Sequence, residues 1–214
     1  MPCPPWVHNE RTVEIPWLAQ QLAQRPPSVL LDVGSADSFY WPELRATGAA
    51  CTLFDVRPFQ PLYGAPHDTY TLVVAPQLPA SWQACFDAVV CISIIDHVGL
   101  DAYGQAADPA ALSAFVADLT RVTAPGGHLY VTTPAGRDRW TTHPGGGQRV
   151  FSQRSLLDLF VPADWQLEEL AQWRYDGQVY QPDQAIDDAG YLNDKAEAVL
   201  ALTLERLDNG LSAW

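Results

Sequence analysis

Asp32 and Asp55 are the first residues whose type and separation suggest chemistry. Asp32 lies in the apolar run from Ser28 to Val33, and Asp55 closes the next run, from Ala50 to Val56. In doubly wound sheets a ligand sits beyond the carboxyl ends of the strands, and an acid about 20 positions on holds ribose hydroxyls. A carboxylate accepts two O–H bonds, which accounts for the residue type. The plainer alternative is that Asp55 only starts the turn before Pro58. Between the two acids runs Gly34-Ser35-Ala36-Asp37-Ser38. Its small side chains let the backbone approach a ligand, and a helix start there offers unpaired N–H groups.

A second group of residues follows a later apolar run. Asp96 and His97 stand just past Phe86–Ile95, and an imidazole there has the chemistry of a general base toward a hydroxyl or amine. Equally, the pair caps and orients the following loop. Tyr103 and His143 are lesser candidates for the substrate side. Arg137, Arg139 and Arg149 gather in the segment 134–149, which also holds the run Gly145–Gly147. The planar guanidinium suits a carboxylate or phosphate, whereas Arg137 and Arg139 can as well pair with local acids such as Asp138. Trp82, Trp140 and Trp173 read as packing residues.

These residues need a scaffold of alternating strands and helices. A helix is expected from Pro16 to Gln24, with proline in its first turn and Leu18 and Leu22 at helical spacing. Strands are expected at 28–33, 50–56, 69–75, 86–95 and 128–133. Asp108-Pro109 opens a helix that carries Leu112, Phe115, Val116 and Leu119 on one face. Residues 134–149 read as a loop, Ser152 to Phe160 as a short helix and Gln166 to Tyr175 as a sixth strand. The stretch 176–194 is polar and turn-rich. Ala196–Leu207 is ambiguous, since its Ala, Glu and Leu favour helix while its pattern also alternates. The alternation of elements points to a doubly wound, mostly parallel α/β sheet.

The totals narrow the function. At 214 residues, nearly half of them apolar, the chain can bury a real core. Its net charge of −13, with Lys195 as the single lysine, argues against nucleic acid, whose affinity rests on released counterions. No apolar run reaches the roughly 20 residues of a membrane span, and the first residues lack signal-peptide character, so a cytoplasmic location is expected. Cys3, Cys51, Cys85 and Cys91 form no C-x-x-C pair. Three of them fall in apolar runs as small buried thiols, and no metal site is expected.

Taken in order, Leu30-Leu-Asp-Val-Gly-Ser-Ala-Asp-Ser38, Asp55, Phe86-Asp87-Ala-Val-Val, Ile92-Ser-Ile-Ile-Asp96-His97-Val-Gly-Leu and Thr120-Arg-Val-Thr-Ala-Pro-Gly-Gly-His-Leu129 resemble the motifs of class I S-adenosylmethionine-dependent methyltransferases. The likeness runs from about residue 28 to 133. The segment after the fourth strand resembles a bacterial subset reading I-S-x-I-E-H-V-G, and Arg149-Val-Phe151 resembles that subset's later R-V-Y.

The resemblance implies a Rossmann-like, seven-stranded sheet with an antiparallel last strand, which assigns Ala196–Leu207 to strand against its propensity. It divides the chain into an N-terminal arm and helix, 1–27, and a methyltransferase-like domain, 28–207. It implies S-adenosylmethionine as cofactor, contacted by Asp32, Gly34, Ser35, Ala36, Ser38, Asp55, Gln77 and Ser93. Asp96 and His97 are then catalytic, and Arg149, His143 and Tyr103 face a small-molecule or carbohydrate-type acceptor. Two departures stand out. The glycine-rich loop carries Ala36 and Ser38 where the family often has glycine. Past the third strand Val74-Ala75-Pro76-Gln77 offers no carboxylate for the adenine edge, so Gln77 or backbone groups must substitute. That departure also supports a rival reading, a catalytically silent methyltransferase-like binding protein. A dinucleotide oxidoreductase is the weakest alternative, because the full G-x-G-x-x-G is missing.

Overall fold

The computed structural model describes residues 9–37, 40–59, 70–143, 146–160, 164–183, 186, 189, 191–192 and 195–208. The chain starts with α1 (Arg11–Gln24), which begins earlier than its proline suggests. Asn9 fixes that start: its Oδ1 accepts from the Arg11 N–H at 3.1 Å and its carbonyl from the Thr12 hydroxyl at 2.8 Å. Pro16 therefore sits inside the helix rather than in the first turn. The helix buries Glu14, Ile15, Trp17, Leu18, Gln21 and Leu22, and this apolar face holds it on the sheet despite the missing N–H.

Then follow β1 (Val29–Val33), a single 3₁₀ turn Ser35–Asp37, α2 (Trp41–Ala46), β2 (Ala50–Asp55), β3 (Tyr70–Val74), β4 (Phe86–Ile92), α3 (Ala111–Val122) and β5 (Thr123–Pro134). Next come β6 (Arg139–His143), β7 (Gly146–Val150), α4 (Gln153–Phe160), β8 (Trp165–Tyr175), β9 (Tyr180–Pro182), β10 (Tyr191–Leu192), β11 (Lys195–Ala196) and β12 (Ala198–Arg206).

The main sheet has the order β3-β2-β1-β4-β5-β12-β8-β9. Its first five strands are parallel, and β12 inserts antiparallel between β5 and β8. Seven of these strands are the expected ones. The eighth, β9, pairs antiparallel with β8 in the stretch read as turns. The Asp176 carboxylate accepts from the Gln178 and Val179 N–H groups at 2.8 and 2.9 Å. That turn folds the chain back, and the Tyr180 hydroxyl donates to the Ala196 carbonyl at 2.6 Å. In β12 the residues from Ala198 to Leu204 are all buried. Burial on both faces of a sheet interior overrides the helix preference of Ala, Leu and Glu.

Neighbouring residues on the parallel strands feed opposite faces. Leu31 and Val89 join α3 and α4 residues such as Leu119 and Leu156, whereas Leu30 and Val90 join Leu18 and Leu22 of α1 and Leu44 of α2. The N-terminal helix thus belongs to the same core as the sheet. Within the expected loop 134–149, β6 (Arg139–His143) pairs antiparallel with β7 (Gly146–Val150).

Candidate active site

β1, β2, β3 and β4 end along one edge, and a cavity of about 530 Å³ opens there. Gly34 and Asp55 line it, as do Gln77, Ser93, His97 and Tyr103. α3 supplies its apolar far wall with Ala111, Ala114 and Phe115. This is the place where an open α/β sheet takes its ligand.

At the end of β1 the chain turns at Gly34 with φ +83°. A side chain there is strained, and its Cβ would come within 2.1 Å of Ile94 Cδ1. Asp32 lies two residues before the turn and does not line the cavity. Its carboxylate accepts from the Ser35 hydroxyl at 2.6 Å and the Tyr40 hydroxyl at 2.8 Å, so it braces the turn from inside. Ser35 is buried in that bond. Ala36 is buried too, and its N–H donates to Asp55 Oδ2 at 2.8 Å. Ser38 lies outside the described residues.

Asp55 is buried. Besides Ala36, its carboxylate accepts from the Arg57 N–H at 2.8 Å and meets Arg57 Nε at 3.3 Å. The Arg57 guanidinium also lies 4.6 Å from the centre of the Tyr103 ring, which packs T-shaped with the His97 ring at 4.9 Å between centres. Sequence reasoning missed Arg57. Its only local signal was its position two residues past the acid. Gln77 is exposed on the cavity wall, and Pro76 beside it offers no N–H.

Ser93 ends β4 with φ +49°, which is why the strand stops before Ile95. Its hydroxyl donates to Glu14 Oε1 at 2.7 Å, and the Thr132 hydroxyl donates to the same oxygen at 2.6 Å. Arg11, on the cavity wall, pairs with the other carboxylate oxygen of Glu14. Neither Glu14 nor Arg11 was a sequence candidate.

On the acceptor side, His97 Nδ1 lies 2.9 Å from the Gly147 carbonyl. A carbonyl only accepts, so the hydrogen is on Nδ1. The other nitrogen, Nε2, stands 3.2 Å from Asp96 Oδ2. That oxygen also accepts from Gln148 Nε2 at 2.7 Å. Asp96 itself is fully buried and does not line the cavity, and among the described residues its Oδ1 meets no donor. His97 and Tyr103 reach the cavity, so the structure brings these two together with the cofactor-side residues.

Arg149 does not line the cavity. Its guanidinium donates to the Val98 carbonyl, and its N–H donates to the Asp96 carbonyl at 2.7 Å. Burial lowers the pKa of this half-buried guanidinium, partly offset by Asp96. It braces the loop after β4, in place of the expected contact with an acceptor. The glycines of the hairpin also differ from the expected hinge. At Gly146 a Cβ would lie 2.4 Å from the Asp101 carbonyl oxygen, and at Gly147 one would lie 2.9 Å from Leu100 Cβ. They allow two backbones to touch. His143 is the last residue of β6.

Away from the cavity, burial pushes the Cys51 thiol up to about 11 and raises Cys91 further. Cys85 is exposed, contrary to the buried reading. His128, Glu168 and Glu205 bring three ligand-type atoms within 4.8 Å of one another, but the Arg25 guanidinium already meets Glu168 at 2.8 Å. Among the described residues no helix is long and apolar enough to cross a membrane.

No family model matches this sequence, and no curated protein sequence matches it. Solved structures do. The 1,6-didemethyltoxoflavin-N1-methyltransferase of Burkholderia thailandensis, with 1,6-didemethyltoxoflavin and S-adenosylhomocysteine bound, is similar with a TM-score of 0.68 and 16% identity, over 95% of this chain and 81% of that one. The N-methyltransferase NodS of Bradyrhizobium japonicum, in complex with S-adenosylhomocysteine, gives 0.61 and 15% over 94% of this chain and 90% of that one. The [4+2]-cyclase SpnF gives 0.55 and 18% over 73% of this chain and 58% of that one. These likenesses establish the architecture: the chain has the Rossmann-like fold of S-adenosylmethionine-dependent methyltransferases.

Proposed function

We propose that this protein transfers a methyl group from S-adenosylmethionine to a small-molecule acceptor. The observation that carries the reading is the cavity itself, at the carboxyl ends of β1, β2 and β4 with the Gly34 turn and the buried Asp55 in its wall. These residues fit the cofactor: a glycine at positive φ lets the turn's backbone approach a ligand closely, and an acid at the end of β2 can accept ribose hydroxyls. When bound, the cofactor supplies an electrophilic methyl on a sulfonium. Gly34 and Asp55 would hold it, with Gln77 at the adenine edge in place of an acid.

The remaining residues orient the acceptor and exclude water, which is most of what a direct displacement asks of a protein. For His97 Nε2, 3.2 Å from Asp96 Oδ2, to exchange a proton with the acceptor, the ring must turn off that carboxylate, which together with the Gly147 carbonyl on Nδ1 holds it until then. Tyr103, less than half exposed on the rim, covers that side. The Burkholderia and Bradyrhizobium proteins are named as N-methyltransferases, which favours a nitrogen centre on the proposed small-molecule or carbohydrate-type acceptor. The charge of −13 disfavours nucleic acid, and a cytoplasmic setting agrees with free thiols at Cys51, Cys85 and Cys91.

The second reading is a silent binding protein that keeps the fold. It draws on the exposed, uncharged Gln77 and on the Arg57 contact that already occupies Asp55. Calorimetric titration with S-adenosylmethionine and S-adenosylhomocysteine, with NAD as control, tests both. Micromolar binding together with acceptor-dependent release of S-adenosylhomocysteine supports the enzyme. Binding with no release from any acceptor in a panel of amines, phenols and sugars supports the silent protein. No binding of either compound sinks the cofactor assignment.

A further inference from the structure

Asp55 has less room for a ribose than its place at the end of β2 suggests. An ionised carboxylate offers about four lone-pair sites. Among the described residues three are taken: Oδ2 accepts from the Ala36 N–H at 2.8 Å, and Oδ1 from the Arg57 N–H and Nε at 2.8 and 3.3 Å. A ribose brings two hydroxyls, so one present contact must yield. The two backbone bonds are short and hold turns in place. The Nε contact is the longest, and it belongs to a side chain 29% exposed. Its release is felt further on. The same guanidinium lies 4.6 Å from the centre of the Tyr103 ring, which packs on the His97 ring. Tyr103 has φ +51°, a region that bulky residues rarely enter. It stands in a tight turn where the Gln105 N–H donates to the Ala102 carbonyl at 2.9 Å, and Ala102 bridges to Gly146. Strain of this kind gathers at ligand clamps, and Arg57, Tyr103 and His97 all line the cavity.

Resting on the methyl-transfer reading, we propose that Arg57 is a positioning residue that links the two halves of the cavity. It yields its Nε contact with Asp55 to the cofactor's ribose, and the freed guanidinium resets Tyr103 and His97 on the acceptor side. A cation that loses a carboxylate gains more from the face of an aromatic ring, so the guanidinium settles onto Tyr103. The T-shaped contact carries that movement to the His97 ring. The acceptor wall is therefore complete only with the cofactor in place, which orders the two ligands. By linkage, a bound acceptor favours the cofactor by the same factor.

The test needs no acceptor. Histidine rings are isotope-labelled, and their nuclear magnetic resonance signals are followed as S-adenosylhomocysteine is added, with calorimetry on the same samples. The chain has five histidines, and His97→Asn identifies the signal that belongs to His97. In the wild type that signal should shift on saturation, while His128, outside the cavity wall, stays in place. Arg57→Ala should bind S-adenosylhomocysteine no more weakly than the wild type, since it removes a competitor for Asp55, and should lose most of the His97 shift. Tyr103→Leu should bind equally and lose the shift too, whereas Tyr103→Phe, which keeps the ring, should retain it. If Tyr103→Leu does not fold, Arg57→Ala and Tyr103→Phe still decide. A shift that persists in Arg57→Ala is a direct effect of the ligand and overturns the assignment. Binding weakened tenfold or more in Arg57→Ala makes Arg57 a cofactor contact and overturns it as well. A wild type that binds without a His97 shift does the same and leaves the methyl-transfer reading intact. Failure of the wild type to bind overturns both.

Discussion

Asp55 Oδ2 accepts a hydrogen bond from the Ala36 N–H at 2.8 Å, so the acid at the end of β2 is tied to the turn that follows β1. One carboxylate therefore ties the end of β2 to that turn in the cavity wall, where we propose that it meets the ribose. Its removal should have two consequences, separable by experiment. Asp55→Ala leaves the buried Ala36 N–H without its partner, at about 1–3 kcal/mol of stability. It should also weaken S-adenosylhomocysteine binding by about tenfold or more. Chemical denaturation and calorimetry read the two effects. Equal affinity in the variant would remove the ribose role and leave Asp55 as a structural tie.

His97 joins the loop after β4 to the β6–β7 hairpin through Gly147, with Nε2 facing Asp96. If Nε2 handles the acceptor proton, His97→Asn should depress kcat by about 100-fold, within the range for general-base loss. Cofactor affinity should stay unchanged. A variant with full kcat and a lower melting temperature would mean that the ring only braces the hairpin.

Gly146 adopts φ +115°, and its missing Cβ leaves room for the Asp101 carbonyl. Gly146→Ala should lift the hairpin off the 101–102 backbone and cost about 2–3 kcal/mol through strain and contact. Thermal unfolding reads the loss, and turnover should fall with it because the Gly147 carbonyl moves away from His97. A variant as stable as the parent would return this run to the role of a flexible hinge.

Asp138 accepts from the Ser152 N–H at 2.7 Å and from the hydroxyls of Ser152 and Ser155 at the start of α4. Desolvation alone would raise its carboxyl, but these hydrogen bonds outweigh it and hold the group below its ordinary 3.8. The native protein then binds this proton less readily than the unfolded chain. The stabilisation is complete above the ordinary carboxylate value and is lost as pH falls through the lowered one. Melting temperatures of the wild type and Asp138→Asn should therefore differ at pH 7, start to converge only below about pH 4 and meet once the pH is under the lowered value. A gap that persists at low pH would contradict the assignment.

The strands β1, β2, β4 and β5, the turn at Gly34 and the acid closing β2 were legible in the residues alone. Parallel strands buried on both faces must be continuous apolar runs, and a tight turn after one needs small residues locally. Both signals are written within a few positions of where they act. The resemblance in motif order was enough to place β12 against its own propensity.

What the tertiary structure decided involves partners far apart in the chain. Glu14 lies ahead of the helix expected from Pro16 and shows no local sign of a role until Ser93, 79 residues on, and Thr132, 118 residues on, are brought to it. Arg149 looked like an anion anchor because a free guanidinium is one. The fold turns it back onto the Val98 carbonyl instead. The Gly145–Gly147 run suggested freedom, and at Gly146 and Gly147 the structure uses it for close approach to residues 100–102. Composition and spacing specify which groups a chain can offer. Which of them meet, and which neutralise each other before a ligand arrives, depends on long-range packing that no local pattern encodes.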